Sequence, residues 1–216
     1  MHNLTIKKII LLTGFMGSGK SFLLKKLLFN HKFNKINKLK NKKIQMQTIQ
    51  VQAIDLDLET LQSASADSIE SIGLTNFRKK EYITLKKVIK NFLIQEPQNN
   101  QQNDKNEQKD RLLIVALGGG ALNKKTLSLI AKINKDFNFA IRTIWLDIPF
   151  SVCYQRMLRD QKINNSPIRP LMKKGKEYLK KLYEKRKYFY SQANLKLSLE
   201  EIDKIHSFKE LLKYVR

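Results

Sequence analysis

Gly14-Phe15-Met16-Gly17-Ser18-Gly19-Lys20-Ser21 is the stretch on which the reading of this chain turns. It fits the pattern G-x-x-x-x-G-K-[ST]. Glycines let backbone N–H groups curl around phosphate oxygens, and the helix that follows offers its positive N-terminus to them. In such a loop Lys20 neutralises charge on the β- and γ-phosphates, and the Ser21 hydroxyl ligates magnesium. The flanks agree. Residues 9–13 form a short apolar run that reads as a buried strand, and residues 22–30 carry leucines at helical spacing. Strand, phosphate loop and helix together make a nucleoside triphosphate site, with ATP and Mg²⁺ as the expected cofactors. The motif does not choose the acceptor.

Working outward, the chain alternates strands with helices. Residues 49–54 alternate apolar and polar side chains and end in Asp55-Leu56-Asp57. Residues 76–93 predict a long helix. Residues 112–117 are an unbroken apolar run into Gly118-Gly119-Gly120, as a parallel strand buried on both faces requires. Asn123 opens another helix. Residues 141–146 predict a strand, 150–159 and 177–190 helices, 195–197 a short strand and 207–214 a closing helix. The alternation argues for an α/β fold, an open parallel sheet covered on both faces, in one domain over residues 1–216. Three segments fall outside this rhythm. Residues 31–48 read as a solvated basic insertion, and residues 95–110 as a Gln/Asn-rich loop. Residues 157–174, with Pro167 and Pro170, read as a mobile lid.

Composition narrows the class. A chain of 216 residues with 42% hydrophobic content can bury a real core. No apolar run approaches the roughly 20 residues that cross a bilayer, so a cytoplasmic protein is expected. The single cysteine, Cys153, reads as a small apolar filler. His2, His31 and His206 lack metal-ligand spacing. The formal net charge of +23 would suit a polyanion. However, the lysines are spread through nearly every segment and no nucleic-acid-reading motif accompanies them. The charge reads as compositional bias on solvated surface, with nucleic acid not expected as a partner, and it still favours small anionic ligands.

Further residues carry chemistry. Asp55 and Asp57 stand at the carboxyl end of a predicted strand, where open α/β sheets place ligands. Two apart on an extended chain, they project to one side. One could hold a magnesium-bound water and the other an acceptor hydroxyl. Arg78 near a helix start suits a bidentate grip on a carboxylate, and Glu81, one turn on, could orient it. By itself the pair has the spacing of an ordinary surface ion pair. Gly118, Gly119 and Gly120 allow close backbone approach to a ligand. Arg169 on the lid could close onto a transferring phosphoryl group, and Arg186 could add a second positive contact to an anionic acceptor.

In order, these pieces resemble the shikimate kinase family. They run Gly-Phe-Met-Gly-Ser-Gly-Lys-Ser, Asp-Leu-Asp, Phe77-Arg78-x-x-Glu81, Gly118-Gly119-Gly120-Ala121, Trp145-Leu146-Asp147 and Arg169-Pro170-Leu171. The set closes with Arg186, Tyr190 and Ala193, so the likeness spans about residues 9–197. One departure is the short route from Ser68-Ile69 to Phe77-Arg78, through Gly73 and Asn76. The resemblance implies a P-loop kinase with a five-stranded parallel sheet that transfers phosphate from ATP to the 3-hydroxyl of shikimate as a monomer. It implies that Gly17, Ser18, Gly19, Lys20, Ser21, Phe22, Arg156 and Arg169 bind ATP, with Arg156 near the adenine. Asp55 would support magnesium through water. Asp57 would hold the acceptor hydroxyls, Arg78 and Arg186 its carboxylate, and the glycines would line its site. Another P-loop small-molecule kinase and a non-catalytic nucleic-acid-binding descendant are the alternatives.

Overall fold

The computed structural model describes residues 7–40, 50–94, 110–137, 141–164 and 170–215. At its centre lie five parallel strands: β1 (Lys7–Thr13), β2 (Gln50–Asp55), β3 (Arg111–Ala116), β4 (Ile141–Leu146) and β5 (Leu195–Leu197). Their order is β2-β3-β1-β4-β5. Ile9 of β1 stands opposite Leu113 on one side and Ile141 on the other. Every residue of β3 is buried, which accounts for its unbroken apolar sequence: both faces of the strand are covered by helices.

The order of the strands positions the site. The chain leaves β1 for the β2 edge, and leaves β3 for β4 on the opposite side of β1. The carboxyl ends of β1 and β3 therefore flank a crevice at a reversal of winding, the place where open sheets bind ligands. The phosphate loop follows β1 and the triple glycine follows β3, so both motifs meet there.

The helices correct several expectations. Helix α1 runs Lys20–Lys40, so residues 31–40 continue the helix that the sequence reading ended at residue 30. Lysine is a good helix former, and the sparse apolar residues concealed this. Asp55 is the N-cap of α2 (Leu56–Ser63), its carboxylate accepting from the backbone N–H groups of Asp57 (3.2 Å) and Leu58 (3.4 Å). Asp57 thus sits in the first helical turn, and the extended reading of the pair is wrong. The reason is local: an aspartate followed by acids satisfies the free N–H groups and the dipole of a helix start.

Ser68 caps the single turn α3 (Ile69–Ile72), and Gly73 leads into α4 (Leu74–Ile94), two residues earlier than the sequence predicts. Asn123 caps α5 (Lys124–Asp136) as expected. Helix α6 covers Phe150–Asn164, so the first part of the predicted lid is helical. A 3₁₀ turn (Met172–Lys174) precedes α7 (Lys176–Tyr190). The chain ends with α8 (Leu199–Asp203), which the sequence reading lacked, and α9 (Phe208–Lys213). Each of the last two opens on a capping box, from Ser198 and Ser207. The rest of the basic segment (41–48), nearly all of the Gln/Asn-rich stretch and Arg169 lie outside the described residues. Among the described residues no helix is long and apolar enough to cross a membrane.

Candidate active site

The phosphate loop is held from below. Gly17 has φ +77°, and a Cβ there would run into the backbone carbonyl of Cys153. The loop therefore rests directly on α6. Cys153 is fully buried, and burial pushes its thiol up to about 11, so it stays a neutral filler. Lys20 Nζ donates to the carbonyls of Gly14 and Phe15, at 2.9 Å each, and to Ser18 Oγ at 3.3 Å. The ammonium is thereby fixed inside the loop.

A cleft of about 550 Å³ opens above the loop, a volume typical of small-ligand sites. Gly17, Ser18, Gly19, Lys20, Ser21 and Phe22 form its phosphate side. Asp55, Asp57, Arg78, Gly119 and Arg156 line it as well. The Arg156 guanidinium also leans over the loop, 3.5 Å from where a Cβ on Gly19 would sit. Of the residues singled out from sequence, Gly118, Gly120 and Arg186 lie behind this lining. Arg169 lies outside the described residues.

Behind Gly119 the charged residues converge. A Cβ on Gly118 would collide with Glu81 Oε1 and Asp57 Oδ1, and would sit 3.1 Å from Arg78 Nη1. A Cβ on Gly120 would sit 2.8 Å from Arg186 Nη2 and 3.2 Å from Arg78 Cζ. The missing side chains thus make room for charges from α2, α4 and α7. Arg78 Nη1 donates to Glu81 Oε2 at 2.6 Å, and the Glu81 side chain is 3% exposed, so this is no surface pair. Burial raises the Glu81 carboxyl to about 7, against the pull of Arg78. Burial likewise lowers the Arg186 guanidinium. Asp57 Oδ1, Glu81 Oε1 and Arg186 Nη1 are buried without a hydrogen-bond partner. Orphaned polar atoms in one place are what a site presents before its ligand supplies the missing bonds.

Several contributors escaped the sequence reading. Tyr190 entered it only as part of a pattern. In the structure it is buried, packs near Trp145 and donates its hydroxyl proton to the Gly119 carbonyl. Tyr190→Phe removes that donor from a buried carbonyl. It should lower stability by about 1–3 kcal/mol, read as a shift of the urea midpoint. Arg159, one helical turn beyond Arg156, also lines the cleft, and its spacing was a usable signal. Ile202 and Asp203 reach the cleft from α8, whose capping-box sequence at Ser198 and Glu201 was a usable signal.

Comparison with known proteins decides the family. The family model described as shikimate kinase matches residues 102–216, more than half of the chain. The chain belongs to the shikimate kinase family. It is thus a phosphotransferase, and the matched part carries the triple glycine, Arg156 and Arg186, while the phosphate loop, Asp57 and Arg78 precede it. A shikimate kinase of Persephonella marina is 28% identical, over 96% of this chain and 98% of its own length. The crystal structure of shikimate kinase from Bacteroides thetaiotaomicron superposes with a TM-score of 0.56 at 20% identity, covering 96% of this chain and 94% of that one. The APS kinase of Mycobacterium tuberculosis, in complex with AMPPNP and APS, gives 0.52 at 14% identity and 98% of both chains. Shikimate kinases thus share this architecture with a kinase named for another acceptor, and the structural likeness carries the fold alone.

Proposed function

We propose that this shikimate kinase family member transfers the γ-phosphoryl group of ATP to the 3-hydroxyl of shikimate, giving shikimate 3-phosphate and ADP in aromatic amino-acid biosynthesis. The observation that carries the reading is the placement of two half-buried arginines and one aspartate, Arg78, Arg186 and Asp57, around the triple-glycine turn beside the phosphate loop. That set complements a small anion bearing hydroxyls. The loop amides and Lys20 hold the β- and γ-phosphates, Phe22 and Arg156 flank the nucleotide, and Arg169 closes onto the phosphates from the lid. Arg78 and Arg186 grip the acceptor carboxylate while Gly118, Gly119 and Gly120 line its ring.

Ser21 and Asp55 offer a hydroxyl and a carboxylate to one cleft, an oxygen donor set suited to Mg²⁺, with Asp55 acting through a water. The ion would neutralise charge on the β- and γ-phosphate oxygens. Asp57 aligns the acceptor hydroxyl. As its oxygen bonds to the γ-phosphorus and the bond to the ADP oxygen breaks, the hydroxyl proton passes to Asp57. Positioning and charge stabilisation supply most of the rate, so a strong base is not needed. The working unit is a single domain over residues 1–216, with residues 157–174 as its lid, acting as a cytoplasmic monomer. ADP release from ATP and Mg²⁺, with and without shikimate, tests the reading. Shikimate-dependent release is expected. Its absence in protein that binds ATP, with release stimulated by another small acceptor, would overturn the assignment.

A further inference from the structure

We propose that Tyr190 is a positioning residue for shikimate: its hydroxyl locks the central peptide of the triple-glycine turn with the Gly119 carbonyl drawn into the protein, so that an anionic ligand meets an N–H edge there and not a carbonyl oxygen. The inference rests on the proposed acceptor and goes beyond it, since Tyr190 has so far been only a donor that stabilises the fold.

The Ala121 N–H donates to the Gly118 carbonyl at 3.0 Å, which closes a turn over residues 118–121. Gly119 and Gly120 are its two central residues. The peptide between them is the one whose flip converts one turn type into another. With ordinary side chains the flipped form is resisted, because it needs a positive φ at the second central position. Glycine removes that resistance. Neither Gly119 nor Gly120 has a positive φ in the structure, so the turn occupies the form for which glycine is not required. A group outside the turn therefore chooses between two forms that its own backbone leaves open.

Tyr190 makes that choice. Its hydroxyl donates to the Gly119 carbonyl, the oxygen of the central peptide. The ring is buried near Trp145, with 6.0 Å between centroids, so the donor is held in place. Burial pushes the hydroxyl well above the ordinary tyrosine range, so its proton stays on the oxygen. Gly119 lines the cleft and Tyr190 does not. The carbonyl is thus turned inward, and the Gly120 N–H, on the opposite edge of the same peptide plane, is turned away from Tyr190. Arg186 stands one helical turn before Tyr190 on α7 and braces the same peptide. Its Nη2 lies 2.8 Å from where a Cβ on Gly120 would sit, and its Nη1 lies 3.6 Å from where one on Gly119 would sit. Nη1 is buried without a hydrogen-bond partner. A flip would strip the tyrosine hydroxyl of its partner. It would also present a carbonyl oxygen in place of an N–H beside the arginine that grips the shikimate carboxylate, and like partial charges repel there.

Direct titration of Tyr190→Phe with shikimate, and separately with a non-hydrolysable ATP analogue, tests this at a temperature where circular dichroism shows the variant folded. Shikimate affinity should fall by about tenfold, as for the loss of one buried hydrogen bond, and nucleotide affinity by less than about twofold. The turn itself is read by labelling glycine with ¹³C at the carbonyl and ¹⁵N at the amide. Of the eight glycines only 118–119 and 119–120 are adjacent, so just two carbonyl–amide correlations arise. The Gly119–Gly120 correlation should be single and sharp in the wild type, and doubled or broadened in Tyr190→Phe. Unchanged affinity for both ligands in the folded variant, or equal losses, overturns the proposal while leaving the acceptor intact. Should the variant not fold, the free wild type decides. A single sharp correlation supports the proposal. One that is doubled or broadened, and sharpens only with shikimate, overturns it, because the ligand and not the hydroxyl would then set the peptide. No shikimate binding by wild type that still binds the nucleotide analogue overturns the acceptor and this proposal together.

Discussion

Arg78→Ala should weaken shikimate binding by at least about 30-fold while changing nucleotide affinity by less than about threefold. Truncating one partner of a buried, hydrogen-bonded charge pair costs about 2–5 kcal/mol, and about 2 kcal/mol already corresponds to 30-fold. Two losses combine here. The acceptor carboxylate loses a cation, and Glu81 loses the donor 2.6 Å away that holds it in place. The nucleotide is spared because Arg78 pairs with Glu81 at the triple-glycine turn and makes no hydrogen bond to the phosphate loop, one residue beyond the fully buried Phe77 of its helix. Arg78→Lys should rescue little, since an ammonium cannot serve Glu81 and a carboxylate with the same planar fork. Direct titration of each ligand into the variant checks this. Equal losses for shikimate and nucleotide would overturn the assigned role.

Lys20→Ala should lower kcat by about 10²–10³-fold, with the shikimate KM nearly unchanged. That is the usual effect of removing one fixed donor aimed at developing transition-state charge. The ammonium is already in place before any ligand arrives, bonded to the Gly14 and Phe15 carbonyls, so little of its stabilisation is spent on ordering it. Steady-state rates at saturating ATP and shikimate give the number. A matching rise in the shikimate KM would show that the variant had disturbed the acceptor wall as well.

Legibility from sequence followed the distance over which each feature is decided. The phosphate loop was readable because its chemistry lies within eight consecutive residues and its flanking strand and helix are adjacent. The strand β4 was read at its true bounds, and β3 within one residue, because a strand buried on both faces has no polar face to blur its pattern. Helix α2 was lost because it is short and follows β2 without a loop; the capping aspartate was the available clue and was read only as a ligand. The burial of Glu81 beside Arg78 was illegible in their own neighbourhood. An i, i+3 pair looks the same on a surface and in a core, and what buries this one is a glycine turn far along the chain. Arg186 was read as a second positive contact, but one arginine among many basic residues carries little local signal, and its carboxylate-binding role came from the family resemblance.

Gly118 has a genetic consequence. The space a methyl group would take there is filled by an oxygen of Asp57 and an oxygen of Glu81. A Gly118→Ala change would push one of those two acids out of its place, and shortening either acid elsewhere in the gene would make room for the methyl only by discarding the group the glycine admits. Positions 57, 81 and 118 are therefore coupled in inheritance, since a side chain at 118 competes for the space that the acids at 57 and 81 fill.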